Sequence, residues 1–221
     1  MALWGTAHAA ATNKPKFLTT DEDSDYTRAD CYATQGGWAM RAGTKATGNG
    51  NTSADPEILV AIGDLAGSTD TTGLRAPTVT SMRFVIGTAA ATDFTAGSSS
   101  QTLSCEITWD EGITVAGSPT VAVANGNQGT GSGRGPYTLV YTATGSTANR
   151  KRFTLASQTI AEDDVLTLGG ANIALAGGTI SDTVRGGTAQ AASLVLSGLT
   201  AVTHTVLASV SYTHLTLPTK A

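Results

Sequence analysis

The stretch that decides the fold is "QTLSCEITW", Gln101 to Trp109. Every second residue in it is apolar: Leu103, Cys105, Ile107 and Trp109. The residues between them are polar: Thr102, Ser104, Glu106 and Thr108. Because successive side chains of a strand point to opposite faces of a sheet, this alternation predicts a strand with one buried and one wet face.

Similar apolar runs continue along the chain after Trp109, recurring about every 8–15 residues and separated by Gly, Asn, Asp and Pro. They are "GITVAGSPTVAVANGN", "PYTLVYTATG", "RKRFTLASQTI", "DVLTLGGANIAL", "GGTISD" and "AASLVLSGL". No convincing amphipathic helix lies among them. The pattern predicts an all-β antiparallel sandwich, and the glycine-rich insert from Asn125 to Gly135 predicts a protruding hairpin loop.

The composition supports many short strands and excludes several classes of protein. Charged residues make up 14% and aromatic residues 5% of the 221 residues, with 26 glycines and a net charge of -4. No apolar run approaches the roughly 18 residues of a membrane span, and Met1 to Lys16 lack the apolar core of a signal peptide. The weak negative charge argues against nucleic acid as a partner. Cys31 and Cys105 predict two free, partly buried thiols.

A change of composition at residues 66–80, rich in Gly, Ser, Thr and Asp, indicates a module boundary near residue 77. The predicted modules are an N-terminal unit over residues 1–76 and a β-sandwich over residues 77–209. Within the first, the pattern predicts a hairpin from Gly37 to Ile62 with a flexible tip, "GTKATGNGNTS".

Five motifs follow one another across about residues 80–200: "FTAGSSSQTLSCEITWDEGITVAGSPTVAV", "YTLVYTATG", "LASQTIAEDDVLTL", "LAGGTISD" and "ASLVLSGL". In this order they resemble the immunoglobulin-like repeat of large bacterial surface proteins. The resemblance implies an immunoglobulin-like sandwich. Trp109, Asp110 and the long glycine-rich insert depart from the repeat.

The first 65 residues contain four short motifs: "MALWG", "NKPKFL", "GGWAMR" and "PEILVAI". Together they resemble the N-terminal part of virion structural proteins of large marine tailed phages. The resemblance implies a non-enzymatic virion component, in which residues 1–76 anchor to the particle and the sandwich projects from it. The expected partners are other virion proteins and host-surface glycans, in many copies per particle.

The alternative is a fragment of a bacterial surface adhesin with immunoglobulin-like repeats, stiffened by calcium. Such a protein would lie on the cell surface instead of in a virion, and export would require a signal that residues 1–16 do not supply. A carbohydrate-cleaving enzyme would require a catalytic domain that these residues do not provide.

Carboxylates at turns are the candidate metal ligands, for calcium: Asp110, Glu111, Asp163, Asp164 and Asp182. They would have to converge at one end of the sandwich, and turn-capping aspartates are common. The run "DEDSD" at residues 21–25 lacks the EF-hand glycine and glutamate, so a solvated acidic turn is favoured. No nucleophile motif accompanies the three histidines, and no catalytic or cofactor-binding residue is predicted. The basic cluster "NRKRF", residues 149–153, would be a patch for anionic surfaces or an ordinary wet strand end.

The last twelve residues, 210–221, are interpreted as foreign to the protein. Val210 to Thr219, "VSYTHLTLPT", resembles the translated adapter of a transposase-based sequencing library, residue for residue. We therefore expect the genuine protein to reach about Ser209, with residues 210–221 an artefact that carries no fold information. The preceding "LTAVTHTVLAS" would be a real strand or the opening of another domain.

Overall fold

The chain forms short β-strands in a computed structural model that describes residues 14–15, 17–20, 27–44, 47–48, 50–63, 65–66, 74, 76–86, 89–90, 94–95, 101–127, 136–158, 160–182 and 189–207. The strands of these residues are β1 Cys31–Thr34, β2 Gly37–Met40, β3 Glu57–Ala61, β4 Val79–Ile86, β5 Ala89–Ala90, β6 Phe94–Thr95, β7 Gln101–Trp109, β8 Ile113–Ala116, β9 Thr120–Asn127, β10 Tyr137–Thr142, β11 Arg150–Gln158, β12 Asp164–Leu168, β13 Thr179–Asp182 and β14 Val202–Leu207. Arg28–Asp30 form a 3₁₀ turn. The predicted all-β class is confirmed.

Most of the strands belong to one nine-stranded sheet, in the order β5-β4-β7-β11-β10-β9-β12-β14-β6. Its pairs are antiparallel except for β14 with β6, which is parallel. A two-stranded sheet of β8 and β13 and a three-stranded sheet in the order β1-β2-β3 complete the architecture.

The large sheet folds over so that its two halves face each other across one core. Phe84 on β4 meets Phe94 on β6 and His204 on β14 edge-on, with ring centroids 5.4 and 5.5 Å apart. Such edge-to-face contacts are favourable because the partly positive edge of one ring lies against the partly negative face of the other. Strands far apart in the sheet order therefore enclose the same apolar side chains, and this confirms the sandwich-like fold. Kinship with immunoglobulin-like repeats stays a prediction.

Strand β7 confirms the predicted strand and its buried apolar face, but its polar face is not exposed to solvent as predicted. Its four apolar side chains are fully buried, in the core between the two halves of the sheet: Leu103, Cys105, Ile107 and Trp109. Of the polar set, Thr102 is exposed, but Ser104, Glu106 and Thr108 are buried. The prediction of a wet face was wrong here because β4 and β11 place arginines beside Glu106 and because the N-terminal module lies against this end of the sheet.

The prediction of a strand in "AASLVLSGL" was also wrong, since residues 192–199 are irregular. The backbone of this segment bonds to separate partners instead of one neighbouring strand: Ala192 N–H donates to Ile180 O, Ser193 N–H to Pro77 O, and Leu194 O accepts from Ile173 N–H. Its apolar pattern nevertheless buries Leu196. The segment that follows is a real strand, β14.

The N-terminal sheet contains the predicted hairpin, because β2 pairs antiparallel with β3 from Gly37 opposite Ala61 to Met40 opposite Glu57. A second hairpin joins β1 to β2. Gly37 has φ +127°, and a Cβ there would lie 2.0 Å from Val60 O, so only glycine fits. A separate apolar cluster forms the core of this module: Leu18, Cys31, Ala33, Trp38, Met40, Leu65 and Leu74.

The glycine-rich insert connects two strands that pair, since Val123 on β9 lies opposite Tyr137 on β10. Residues 125–127 belong to β9, and the remainder of the predicted loop, 128–135, lies outside the described residues. The predicted adapter-derived segment, 210–221, also lies outside them.

Candidate functional site at the joint between the modules

The two modules meet at one end of the sandwich through backbone hydrogen bonds. Ala33 N–H on β1 donates to Asp110 O at 2.7 Å, and Ala33 forms a parallel β-bridge with Glu111. Each buried polar group at such a joint needs a partner, because desolvating it without one costs about 1–3 kcal/mol. The backbone pairing therefore fixes the position of β1 against the end of β7.

Asn149, which precedes β11, links both modules with one side chain. Its Nδ2 donates to Ala29 O in the 3₁₀ turn and to Trp109 O at the end of β7, both at 3.0 Å. The side chain has no exposed surface. Its two donors therefore connect the 3₁₀ turn to the sandwich in a place that water does not reach.

An acidic cleft of about 410 Å³ opens beside this joint. Tyr32 and Asp55 line it from the N-terminal module, and Glu111, Ala148 and Asp182 line it from the sandwich. Glu111 is 2% exposed, and its Oε1 has no hydrogen-bond partner within the described residues. The cleft thus holds a buried carboxyl group that its surroundings do not solvate.

Three carboxyl groups at this end of the sandwich have raised pKa values. Burial, together with the charges of Asp110 and Asp182, raises the pKa of Glu111 to about 8. Burial raises the pKa of Asp110 to about 6, although Thr78 N–H donates to its Oδ1 at 2.7 Å. Burial also raises the pKa of Asp182, whose Oδ1 accepts from Gln190 N–H. Near neutral pH, Glu111 therefore retains its proton. Raised pKa values of this kind occur both in structural carboxyl groups at buried joints and in catalytic acid–base groups, so the pKa values do not distinguish the two roles.

The predicted calcium ligands do not all lie at this end. Asp110, Glu111 and Asp182 are here, the last paired through its backbone with Ile113. Asp164 pairs with Asn127, at the end of β9 remote from the joint. There its Oδ2 accepts from Ala161 N–H, which is turn capping, and Asp163 occupies the same turn with φ +66°. Across the part of the chain that the structure describes, no group of three or more His, Cys, Asp or Glu side chains is arranged to hold a metal ion.

A second cleft, of about 590 Å³, adjoins the first and shares Tyr32, Pro56 and Ala148 with it. Its charged lining is mostly basic: Arg41, Arg150, Arg152 and Glu106. Two of these arginines come from the "NRKRF" cluster. That cluster is not a wet strand end, because Asn149 is 0%, Arg150 7% and Lys151 8% exposed.

Glu106 is the centre of this arrangement, and the sequence pattern did not indicate it. The register places Arg83 on β4 and Arg152 on β11 directly opposite it. Arg83 Nε and Nη2 donate to Glu106 Oε2 at 3.1 and 3.0 Å, and Arg152 Nε and Nη2 donate to Oε1 at 3.1 and 2.6 Å. In the sequence, Glu106 is one polar residue of an alternating strand, and Arg83 and Arg152 lie in two other segments. Only the order of the strands in the sheet brings the three side chains together.

The other candidate residues fall into three groups. The acidic run at 21–25, His8 and His214 lie outside the described residues, and His204 packs against Phe84 and Phe94. Cys31 and Cys105 are free, as predicted, but fully instead of partly buried. Burial raises the pKa of both thiols, that of Cys31 to about 11. Within the described ranges, no helix is long and apolar enough to cross a membrane.

Comparison with known proteins assigns no family. No family model, curated protein or solved structure matches the chain.

Proposed function

We propose that this protein is a non-enzymatic structural or decoration protein of a phage virion. Its N-terminal module anchors to the particle, and its sandwich makes weak contacts with the host surface or with neighbouring virion subunits. The observation that carries the proposal is the fixed joint, in which Ala33 and Asn149 bind the two modules together through buried hydrogen bonds. Such a joint suits a subunit that displays a domain at a set orientation on a particle.

The direction of the strands gives a second support. The N-terminal module packs where β7 ends and β11 begins, beside Thr108 opposite Arg150. The connections from β9 to β10 and from β11 to β12 emerge at the other end of the sheet. Loops carried by a rigid sandwich vary without unfolding it, so the end remote from the anchor suits recognition.

Weak contacts are sufficient in this arrangement because a particle carries many copies. Linking binding events converts later ones into intramolecular steps and raises avidity by roughly 10²–10⁴. Host-surface glycans and adjacent virion subunits are the proposed partners, and no catalytic step or bound metal is required.

The decisive experiment is quantitative mass spectrometry of gradient-purified particles of the phage that encodes the chain. We expect peptides of residues 101–182 to co-sediment with the capsid proteins at a fixed ratio, in many copies per particle. Peptides that remain in the soluble fraction, at less than one copy per particle, would reject the proposal. The genes beside this one provide an independent check, since portal, capsid, sheath or neck genes fit it and a sortase or transporter neighbourhood favours a bacterial surface protein.

A further inference from the structure

The second cleft, called the basic cleft from here on, is lined by an arginine whose hydrogen-bonding groups the surrounding carboxylates do not fully use. Arg83 and Arg152 each donate two hydrogen bonds to Glu106 and occupy both of its oxygens. Arg41 Nε donates to Asp30 Oδ1 at 3.1 Å. These pairings are the short, charge-assisted kind that arginine and carboxylate prefer.

Arg150 is left with longer ion pairs only. Its Nη1 is 3.5 Å from Glu106 Oε2, and its Nη2 is 3.7 Å from Asp30 Oδ1. Its Nε and Nη2 have no hydrogen-bond partner within the described residues, although the side chain is only 8% exposed. A buried guanidinium with unused donors is costly unless an acceptor reaches it, and Arg150 lines the cleft.

The charges around the cleft also favour an incoming anion. Four guanidinium groups surround two carboxylates in the connected set of Arg41, Arg83, Arg150, Arg152, Asp30 and Glu106. Three of the four line the cleft, together with Glu106 as its carboxylate. Hydroxyl-bearing residues of both modules also line the cleft: Tyr32, Thr52, Ser146 and Thr147.

From this geometry, we infer that the basic cleft binds an oxyanion (a carboxylate, phosphate or sulfate group) that lies among the guanidinium groups of Arg41, Arg150 and Arg152. The volume of about 590 Å³ is within the range of sites for small molecules, so the anion can be carried by a ligand as large as an acidic monosaccharide. The inference stands on the cleft alone and does not depend on a role in a virion.

The test is isothermal titration of the whole chain with inorganic phosphate, sulfate, glucuronate and, as the neutral control, glucose. We expect saturable binding of at least one oxyanion, weakened by added salt, and none of glucose. Tighter binding of glucuronate than of phosphate identifies an acidic sugar as the ligand, and the reverse identifies a phosphate or sulfate group. The absence of saturable oxyanion binding to the wild-type chain, or equal binding of glucose, overturns the inference.

Variants locate the site. Arg41→Gln removes one of the cleft's charges and frees Asp30 for Arg150, so both effects should weaken oxyanion binding, by about tenfold together. Arg41 is a suitable position because its side chain is 27% exposed, so the fold tolerates its loss better than that of Arg150. The matched control is Arg134→Gln, the same change of charge in the sequence between β9 and β10, and it should bind within twofold of wild type. If Arg41→Gln binds as wild type does, the anion is not held in this cleft.

Discussion

Glu111 shows how one residue responds to being enclosed where two modules meet. It is 2% exposed, has an unpartnered Oε1, and lies near Asp110 and Asp182. Both the loss of hydration and the like charges disfavour the ionised form, which accounts for the direction of its pKa shift. Nothing in "WDEG" distinguishes this glutamate from a solvated turn residue, because its enclosure depends on β1 docking from far away in the sequence.

This shift predicts how stability changes with pH. Below the ordinary pKa of 4.5, Glu111 is protonated in both the folded and the unfolded chain. As the pH rises from 4.5 towards 8, the unfolded chain releases the proton and the folded chain keeps it, so the free energy of unfolding falls. Glu111→Gln carries no such group. It should therefore exceed wild type in unfolding free energy by about 2–4 kcal/mol at pH 8–9, and by much less at pH 5.

Urea denaturation at several pH values measures this difference. Glu57→Gln is the matched control, because it makes the same substitution at an exposed position on β3. A Glu111→Gln profile parallel to that of wild type would show that Glu111 is ionised in the folded state.

Gly145 provides a test of the close contact between its own backbone and the guanidinium group of Arg152. It has φ +78°, and a Cβ there would lie 2.7 Å from Cζ of Arg152, whose position is fixed by Glu106. Gly145→Ala should therefore impose backbone strain and displace Arg152, lowering the free energy of unfolding by about 2–4 kcal/mol. Gly177→Ala separates the two effects, because Gly177 has φ +82° but nothing within 4 Å of its Cβ position. Thermal denaturation should show a loss of about 1 kcal/mol there, and equal losses at the two positions would exclude the Arg152 contribution.

At the scale of elements, β7 marks where the sequence is informative and where it is not. The apolar alternation of residues 101–109 predicts the strand and its core face, because that signal is local. The burial of Glu106 depends on β4 and β11 lying on either side with arginines in register, and register is set by the whole sheet. The strand predicted at residues 191–199 is wrong for the same reason. The apolar pattern there correctly predicts a buried side chain, but a strand also needs a neighbouring strand to pair with, and the local sequence does not determine that partner.

Besides their backbone pairing, the three strands β4, β7 and β11 are joined by the ion pairs of Glu106 with Arg83 and Arg152. Glu106→Gln keeps the shape of the side chain but leaves Arg83, Arg150 and Arg152 without their shared negative charge. Removing one partner from a buried ion network costs about 3–5 kcal/mol, and we expect a loss in this range in urea denaturation. Glu57→Gln again serves as the exposed control and should lose less than about 0.5 kcal/mol. A small loss for Glu106→Gln would mean that water already screens the three arginines.

At the scale of the whole molecule, the fold is two apolar cores joined by polar contacts. The core of the N-terminal module includes Leu74, and that of the sandwich begins at Val79, so the cores divide where the composition of the sequence changes. The joint itself could not be predicted, since Asn149 and Ala29 are 120 positions apart and neither belongs to a recognisable motif. The joint determines whether the chain behaves as one cooperative unit or as two.

Asn149→Ala tests that coupling. The substitution leaves the carbonyls of Ala29 and Trp109 without their buried donor, and we expect a loss of about 2–4 kcal/mol in the free energy of unfolding. Because the lost bond to Ala29 O lies between the modules, calorimetry should separate one transition into two, and the Ala33 amide, which bonds to Asp110 O, should exchange with solvent faster than amides in β11. Asn51→Ala is the control, since Asn51 is exposed and its Oδ1 accepts a local bond from Ser53 N–H. If the two variants unfold alike in a single transition, the sandwich and the N-terminal module are held together by the apolar and backbone contacts of β1, and Asn149 only fills space between them.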